Sequence, residues 1–275
     1  MSRKSLLITG CSSGIGYDAA KLMQARGWRV FAACRRDEDC ARLREEGFES
    51  PLIDYERPET FEAALAEVLD ATGGTLDAVF HNGAYAIPGP LEDVPAEAMR
   101  AIFAANFLGW HDLNNRILPV MRRQGHGRVV LNSSVLGFVG TKWRGAYVAT
   151  KFALEGWADV LRLEMAPENI QVVLIEPGPI ESDFRKNAVK AFERWIDWEA
   201  SPRAEDYRAR LLDRLYKGSS GRMTLPARAV SEVLFTALDS PSPRARYRVT
   251  TPTHAMAVAK RLLPPGVMDW LLSKA

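Results

Sequence analysis

Cysteine and histidine are scarce in this sequence, and neither type is spaced to build a structural site. The three cysteines are Cys11, Cys34 and Cys40, an odd number without a C-x-x-C pair or a matching histidine spacing. This usage argues against a disulfide framework and a zinc centre. It is typical of a reducing compartment, so we expect a cytoplasmic protein without a bound metal.

Long hydrophobic runs and a strong charge of one sign are also missing. No segment reaches about 18 uninterrupted apolar residues, so no transmembrane helix is predicted. Only three apolar residues in a row precede Thr9, too few for the core of a signal peptide. The 36 basic and 34 acidic residues give a net charge of +2. Such a mild charge does not favour nucleic-acid binding, and a small-molecule partner is expected instead.

Short apolar runs alternate along the chain with stretches that carry apolar residues at three- and four-residue spacing. The predicted strands are Leu6–Ile8, Val30–Ala33, Leu52–Ile53, Ala78–Phe80, Val129–Leu131, Val172–Ile175 and Tyr247–Val249. The main predicted helices are Ile15–Arg26, Pro58–Ala71, Ala96–Arg123, Tyr147–Met165 and Pro226–Leu238. The alternation predicts a single-domain α/β Rossmann fold over residues 1–275, in which helices cover both faces of a doubly wound, seven-stranded parallel sheet.

Two segments near the carboxyl terminus do not follow this alternation. Residues 184–224 are helical in pattern but rich in charge and aromatics, with six aromatic residues in 33 positions against a chain average of 9%. They are Phe184, Phe192, Trp195, Trp198, Tyr207 and Tyr216. We expect a substrate lid, although the rings would equally serve to anchor an insertion. Residues 252–275 form a predicted helical tail that docks on a second subunit, on a membrane surface or back on the sheet.

A glycine-rich turn follows the first predicted strand and opens the first helix. It comprises Gly10, Cys11, Ser12, Ser13, Gly14, Ile15 and Gly16. Gly10 permits a tight turn, Gly14 lets the backbone approach a pyrophosphate, and Gly16 allows close packing of helix on strand. The amides of the helix N-terminus then face the phosphate charge. This position in the chain predicts a dinucleotide site rather than a bare turn.

The residues after the second strand distinguish between the two nicotinamide dinucleotides. That strand end faces the adenosine ribose, where a carboxylate suits NAD and an arginine fork suits the 2′-phosphate of NADP. Arg35 and Arg36 stand there, so NADP(H) is the predicted cofactor. Asp54, just after the third predicted strand, is a candidate acceptor for the adenine amino group, although a turn aspartate fits equally well.

Tyr147 and Lys151 lie four residues apart on a predicted helix and therefore share a face. An adjacent ammonium and the positive ring of an oxidised nicotinamide would favour the phenolate of a residue whose ordinary pKa is about 10. Such a tyrosine exchanges a proton with a carbonyl or alcohol oxygen. Ser134, at the end of the fifth predicted strand, would donate a hydrogen bond to the same oxygen.

With these motifs in this order, the chain resembles the short-chain dehydrogenase/reductase family from Leu6 to about Thr250. The resemblance implies that Ser134, Tyr147 and Lys151 are the catalytic triad and that Asn106 holds a water in a proton relay from the lysine. It also implies that the loop after the sixth strand meets the nicotinamide carboxamide. The residues of that loop are Pro177, Gly178, Ile180 and Ser182.

The chain departs from the family after the fourth strand. The usual Asn-Asn-Ala-Gly is here His81, Asn82, Gly83 and Ala84, and we expect Asn82 and Gly83 still to contact the cofactor. His81 has a structural hydrogen-bonding role in this interpretation. The glycine turn, Arg35 and the catalytic segment resemble the branch that includes hydroxysteroid and retinol dehydrogenases. The resemblance further implies a homodimer or homotetramer built on helices 96–123 and 147–165.

The leading hypothesis is an NADP(H)-dependent oxidoreductase acting on a hydrophobic carbonyl or secondary alcohol. One alternative is a ketoreductase for carrier-bound acyl chains, which needs a basic docking patch such as Arg185, Lys186, Lys190 and Arg194. The other is a protein that senses NADP without catalysis. The intact set of Asn106, Ser134, Tyr147 and Lys151 argues against the sensor.

Overall fold

The protein is described by a computed structural model that covers residues 3–218 and 223–273. The ends of the predicted domain, at 1–2 and 274–275, lie outside the described residues. So do positions 219–222 of the predicted lid.

Within the described residues, six parallel strands form one sheet in the order β2-β1-β3-β4-β5-β6. They are β1 (Ser5–Thr9), β2 (Arg29–Ala33), β3 (Ala78–His81), β4 (Gly127–Asn132), β5 (Ile170–Glu176) and β6 (Arg246–Arg248). The strand order reverses between β1 and β3, and in open α/β sheets such a reversal leaves a ligand crevice at the carboxyl ends of the strands. The single-domain Rossmann-like fold is therefore confirmed.

The described helices connect these strands and build the layers around the sheet. They are α1 (Gly14–Ala25), α2 (Asp37–Glu45), α3 (Glu59–Thr72), α4 (Ala96–Phe103), α5 (Gly109–Gln124), α6 (Gly145–Met165), α7 (Phe184–Trp195), α8 (Ala204–Asp206), α9 (Leu212–Tyr216), α10 (Arg228–Asp239), α11 (Thr251–Leu262) and α12 (Pro265–Ser273). A π turn at Ala104–Leu108 joins α4 to α5, and a second at Tyr207–Leu211 joins α8 to α9.

Residue alternation along the strands divides the core into two layers. Leu7 belongs to a cluster on the face covered by α3, α5 and α6, whereas Leu6 and Ile8 belong to a cluster with α1, α2 and α10. Successive side chains of a strand point to opposite faces, so the continuous apolar runs are buried on both sides. The two layers hold the sheet rigid, and its carboxyl edge carries the candidate site.

The prediction of seven strands is wrong, because Leu52–Ile53 forms no strand. The segment 49–53 still runs beside β2, where Ala32 N donates to Glu49 O at 2.7 Å and Ile53 N donates to Cys34 O at 2.9 Å. Pro51 has no N–H to donate in this ladder. The Ser50 hydroxyl donates to Ala32 O at 2.7 Å. The pairing is thereby reduced to isolated bridges, such as that between Cys34 and Leu52.

The tail consists of α11 and α12, and it folds back on the domain. Ala257 and Met268 are buried, and Lys142 Nζ donates to Ser273 O at 3.4 Å. Among the described helices, none has the length and apolar character needed to span a bilayer.

Candidate active site

The glycine turn brings the end of β1 against the segment that follows β3. Gly10 adopts a left-handed φ of 69°, and a Cβ at this position would lie 2.6 Å from the Gly83 Cα. A Cβ on Gly16 would overlap the Gly10 carbonyl. Both positions therefore require glycine for close packing, in agreement with the sequence-based interpretation.

The turn leaves the first amides of α1 without a side-chain cap. Ser13 precedes the helix and makes no capping bond, and the first turn contains no acidic residue. Arg42 of α2 donates to Ser12 O at 2.7 Å and holds the loop from outside. Cys11 is buried and bonds Ile8 O at 3.2 Å, so its side chain faces the core. Uncapped amides at a helix N-terminus match the charge of a pyrophosphate.

The two arginines after β2 have different surroundings. Arg36 donates to Asp39 at 2.9 Å and forms an ion pair with Glu38 at 3.1 Å. Arg35 is exposed, and in residues 3–218 and 223–273 it has no hydrogen bond or ion pair. Its guanidinium is thus the one of this pair that is available to a phosphate.

Asp54 lies in a local turn beyond β2. Its Oδ1 accepts the Glu56 amide at 3.1 Å, and its own amide donates to Thr60 Oγ1 at 3.1 Å. These bonds match the turn interpretation of the sequence, and they leave Oδ2 as the oxygen for any contact with an adenine.

Thr9, at the end of β1, is a hub that the sequence analysis missed. Its hydroxyl accepts from the Asn82 amide at 2.9 Å and from the Tyr55 hydroxyl at 2.8 Å. Asn82 Nδ2 donates to Thr9 O at 3.1 Å, and Trp110 Nε1 donates to Gly83 O at 3.2 Å. A polar residue that ends a buried strand was the available signal.

His81 has the structural role expected from its position. It is fully buried and lies 2.7 Å from the Tyr55 hydroxyl through Nδ1. Burial lowers the pKa of His81 to about 3, so the ring is neutral at physiological pH. A permanently neutral imidazole packed against Trp110, with ring centroids 5.4 Å apart, is a core element.

Ser134, Tyr147 and Lys151 meet at the carboxyl edge of the sheet. Tyr147 and Lys151 lie one turn apart on α6, with Lys151 Nζ 5.6 Å from the centre of the Tyr147 ring. The Ser134 hydroxyl accepts the Leu136 amide at 3.1 Å and lies close enough to the Tyr147 phenol to lower its pKa. Lys151 Nζ donates to Asn132 O at 2.7 Å, and Asn132 Nδ2 donates to Asn82 Oδ1 at 2.8 Å. Asn132 thus links the lysine to the glycine turn, a role that sequence reasoning did not assign.

Burial dominates the ionisation of this cluster. It raises the pKa of Tyr147, against the smaller lowering effects of the Ser134 hydrogen bond and the Arg144 charge. The expected lowering of the tyrosine pKa is therefore not found in the protein by itself. Burial also lowers the pKa of Lys151 to about 7, so its ammonium offers only part of a positive charge at neutral pH.

Asn106 sits in the π turn between α4 and α5. Its Oδ1 accepts the Tyr85 amide at 3.1 Å, and its Nδ2 donates to Tyr85 O at 2.8 Å and to Thr150 Oγ1 at 3.3 Å. The side chain thus ties the α4–α5 segment to α6. π turns interrupt the regular backbone ladder and are frequent at functional sites.

The loop after β5 closes the site from the other side. Leu225 pairs with Pro179 O and with the Glu181 amide. Within the described residues this leaves the N–H and C=O of Ile180 without a backbone partner. Pro177 O accepts the Val135 amide at 2.8 Å, and Gly178 packs against Thr250 so closely that a Cβ would overlap its hydroxyl. Ser182 lies against the glycine turn, 3.0 Å from the position of a Cβ on Gly14.

The lid helices pack directly on the tyrosine. The Phe184 ring lies 5.3 Å from the Tyr147 ring. Tyr207 is fully buried, contacts the rings of Trp143, Phe192 and Trp198, and donates to Asp93 at 2.8 Å. Most of the aromatic excess therefore anchors the segment, and Phe184 is the ring in contact with the cluster.

A sequence model described as short chain dehydrogenase matches residues 4–192. The uncharacterized oxidoreductase YbbO of Escherichia coli K12 is 40% identical over 270 residues, which cover 98% of this chain and 94% of that protein. Human 17-beta-hydroxysteroid dehydrogenase type 1 is 30% identical over 265 residues, 91% of this chain and 78% of that protein.

Solved structures share the fold. A short-chain dehydrogenase/reductase from Burkholderia phymatum in complex with NAD superimposes with a TM-score of 0.79 at 24% identity, over 99% of this chain and 95% of that one. A short chain dehydrogenase from Burkholderia cenocepacia in complex with NADP gives 0.76 at 18% identity, over 98% of each chain.

Proposed function

The chain belongs to the short-chain dehydrogenase family, and on that premise we propose that it is an NADP(H)-dependent oxidoreductase. It transfers a hydride between nicotinamide and a carbonyl or secondary alcohol of a hydrophobic substrate. The observation that carries this proposal is the convergence of Ser134, Tyr147 and Lys151 beside the glycine turn. These three groups stand at the carboxyl edge of the sheet, the edge at which the reversal of strand order between β1 and β3 leaves a ligand crevice.

The residues at the crevice fit a dinucleotide. The uncapped amides of α1 fit the pyrophosphate, Arg35 fits a 2′-phosphate, and the unused backbone groups of Ile180 fit a carboxamide. Asn82 and Gly83 pack against the glycine turn, and Asp54 keeps Oδ2 for a contact with the adenine. Within residues 3–218 and 223–273, Arg35 forms no ion pair, although its charge acts on Glu56. An arginine left unpaired at the ribose position supports NADP(H) over NAD(H).

Proton transfer falls to Tyr147. When bound, the nicotinamide supplies or accepts the hydride. In the reductive direction the Tyr147 hydroxyl donates its proton to the carbonyl oxygen, while the Ser134 hydroxyl donates a hydrogen bond to that oxygen. Lys151 Nζ, held on Asn132 O, returns a proton toward the tyrosine. Burial raises the pKa of Tyr147, so at neutral pH its hydroxyl carries the proton that the reductive direction requires.

The alternatives gain less support. A carrier-docking ketoreductase needs free cations on the predicted lid, and two of the four candidates are engaged: Arg185 donates to Tyr216 O and Lys186 pairs with Asp183 at 2.6 Å. A sensor without chemistry has no use for a fully buried lysine beside a buried phenol, since both cost free energy to desolvate.

A panel of aldehydes, ketones and secondary alcohols tests the proposal, with NADPH and NADH compared in parallel by the absorbance of the reduced cofactor. Turnover of apolar carbonyls with NADPH is expected. Binding of NADPH without turnover of any panel member would favour the sensor, and a preference for NADH would contradict the cofactor assignment.

We also propose that the protein forms a homodimer or homotetramer through α5 and α6. Apolar side chains are exposed on this part of the molecule, at Leu108, Phe152, Val160 and Leu163. A monomer rarely leaves such a group uncovered. Leu163→Glu is expected to shift the mass measured by light scattering toward the monomer, whereas a monomeric wild-type protein would contradict the proposal.

A further inference from the structure

Arg144 occupies an unusual position for a cation. It lies three residues before Tyr147, immediately ahead of α6. Its backbone is fixed, because it forms a bridge with Gly89 and its carbonyl accepts the Val148 amide at 2.8 Å. Its charge acts on the Tyr147 phenol. The fixed backbone therefore places Arg144 about one helical turn before the proposed proton donor.

The charge of Arg144 is uncompensated. The side chain is partly buried, and across residues 3–218 and 223–273 its guanidinium has no hydrogen bond and no ion pair. The other cation that acts on it is Arg214 of α9, which also has no ion pair in these ranges. Burial and the repulsion from Arg214 both lower the pKa of Arg144. The N-terminus of α6 is the positive end of the helix dipole and adds to this cost.

The nearest loop has carboxylates, but they are committed to other residues. The turn Leu91–Asp93 packs against α6, where a Cβ on Gly145 would overlap Leu91. Asp93 accepts from the Ser201 and Tyr207 hydroxyls at 2.7 and 2.8 Å. Glu92 pairs with Arg203. The protein thus supplies acids close by without presenting one to Arg144.

Backbone strain accompanies this arrangement. Trp143, directly before Arg144, has a φ of 67°, which is rare for a bulky residue. Its carbonyl accepts the Gly89 amide at 3.0 Å, and its ring lies 5.4 Å from Tyr207 of the lid. Such a backbone conformation is costly and persists where the surroundings over-determine it, often at ligand clamps.

We propose that Arg144, supported by Arg214, binds an anionic group on the substrate. The substrate would then be an amphipathic carbonyl or alcohol, with an apolar body under the lid and a carboxylate or a phosphate at the Arg144 end. A guanidinium binds either group through paired N–H donors, and the partial burial of Arg144 strengthens that bond. This inference rests on the proposed function for the location of the substrate.

Binding measurements test the inference without requiring turnover. Calorimetry would compare decanoate and decyl phosphate with decanamide, a neutral probe of similar length, on the protein with and without NADP⁺. At least one of the two anions is expected to bind roughly tenfold tighter than decanamide, the scale of one charge-assisted hydrogen bond. The stronger of the two identifies the acidic group. Equal affinity of all three probes would overturn the inference.

Variants then assign the effect to Arg144. Arg144→Gln is expected to remove the preference for the anion while leaving decanamide binding unchanged, and Arg144→Lys is expected to keep part of it. Arg100→Gln removes an exposed arginine paired with Glu97 on α4 and is the matched control, with wild-type affinities expected. Equal losses for anionic and neutral probes in Arg144→Gln would reveal a structural role and contradict the inference.

The outcome separates the two proposals. Anion binding that depends on Arg144, in a protein that turns over no carbonyl, supports this inference and contradicts the proposed function. The opposite result is turnover of neutral carbonyls that Arg144→Gln does not change, in a protein with no preference for anions. It would support the proposed function and contradict the anion site.

Discussion

The carboxyl edge of the sheet and the lid are built in different ways. At the edge, polar groups are fixed by backbone partners, as Lys151 is by Asn132 O and Asn82 by Thr9 O. In the predicted lid, buried rings pack around Tyr207, and the Tyr207 hydroxyl donates to Asp93. The edge therefore has one geometry that a few residue types can satisfy. Many combinations of packed rings could hold the predicted lid together, so we propose that this segment sets the substrate preference.

Tyr147→Phe is expected to remove the proton donor at the carboxyl edge while leaving the packing of the predicted lid unchanged. The phenyl ring retains the contact with Phe184, but no proton donor remains, so turnover should fall by at least about 100-fold. NADPH binding, measured by fluorescence titration, should stay close to wild type. Tyr216→Phe in the predicted lid is the matched control because Tyr216 is exposed and its hydroxyl donates to Glu193. Near-normal turnover in Tyr147→Phe would contradict the mechanism.

A smaller effect should separate the two arginines after β2. Arg35→Ala is expected to weaken NADPH by about tenfold or more, the scale of a charge-assisted hydrogen bond, and to leave NADH nearly unchanged. Arg36→Ala should have little effect on either, because Arg36 is held by Asp39. Affinities from titration of each cofactor decide the point. Equal losses for NADPH and NADH in Arg35→Ala would mean that its guanidinium does not meet the 2′-phosphate.

The edge leaves recognisable patterns in the sequence because its requirements are local. A glycine that must pack on Gly83, or a tyrosine four residues before a lysine, leaves a fixed spacing in the chain. Asn132 and Thr9 were missed because their roles depend on contacts with residues 19 and 46 or more positions away. The missing seventh strand has a local cause, because Pro51 has no backbone N–H to donate to β2. This feature of the sequence argues against a strand at Leu52–Ile53. Arg144 was also missed, because absent partners are visible only in three dimensions.

Within the lid, Tyr207→Phe should have a modest effect. The change removes the bond to Asp93 and is expected to cost about 1 kcal/mol of unfolding free energy, measured by urea denaturation. The Michaelis constant for apolar substrates should rise while kcat is preserved, since the edge is untouched. Tyr17→Phe, a partly buried tyrosine of α1 whose hydroxyl bonds Glu46, is the comparison. A fall in kcat with an unchanged Michaelis constant would show that the lid contributes to the chemical step.

The smallest expected effect concerns the pH dependence of the reductive rate, which reports the role of Lys151 at the carboxyl edge. Burial lowers the pKa of Lys151 to about 7, so its ammonium is present below that pH and lost above it. Because the mechanism uses the ammonium to return a proton to Tyr147, the reductive rate should decline as pH rises through about 7. In Lys151→Arg the guanidinium stays charged across this range, so the decline should move to higher pH even if the maximal rate is reduced. The pH profile of kcat/KM for both proteins decides the point. An unchanged profile in the variant would assign the decline to a group other than Lys151, and the lysine would then serve only to hold Asn132 and the phenol in place.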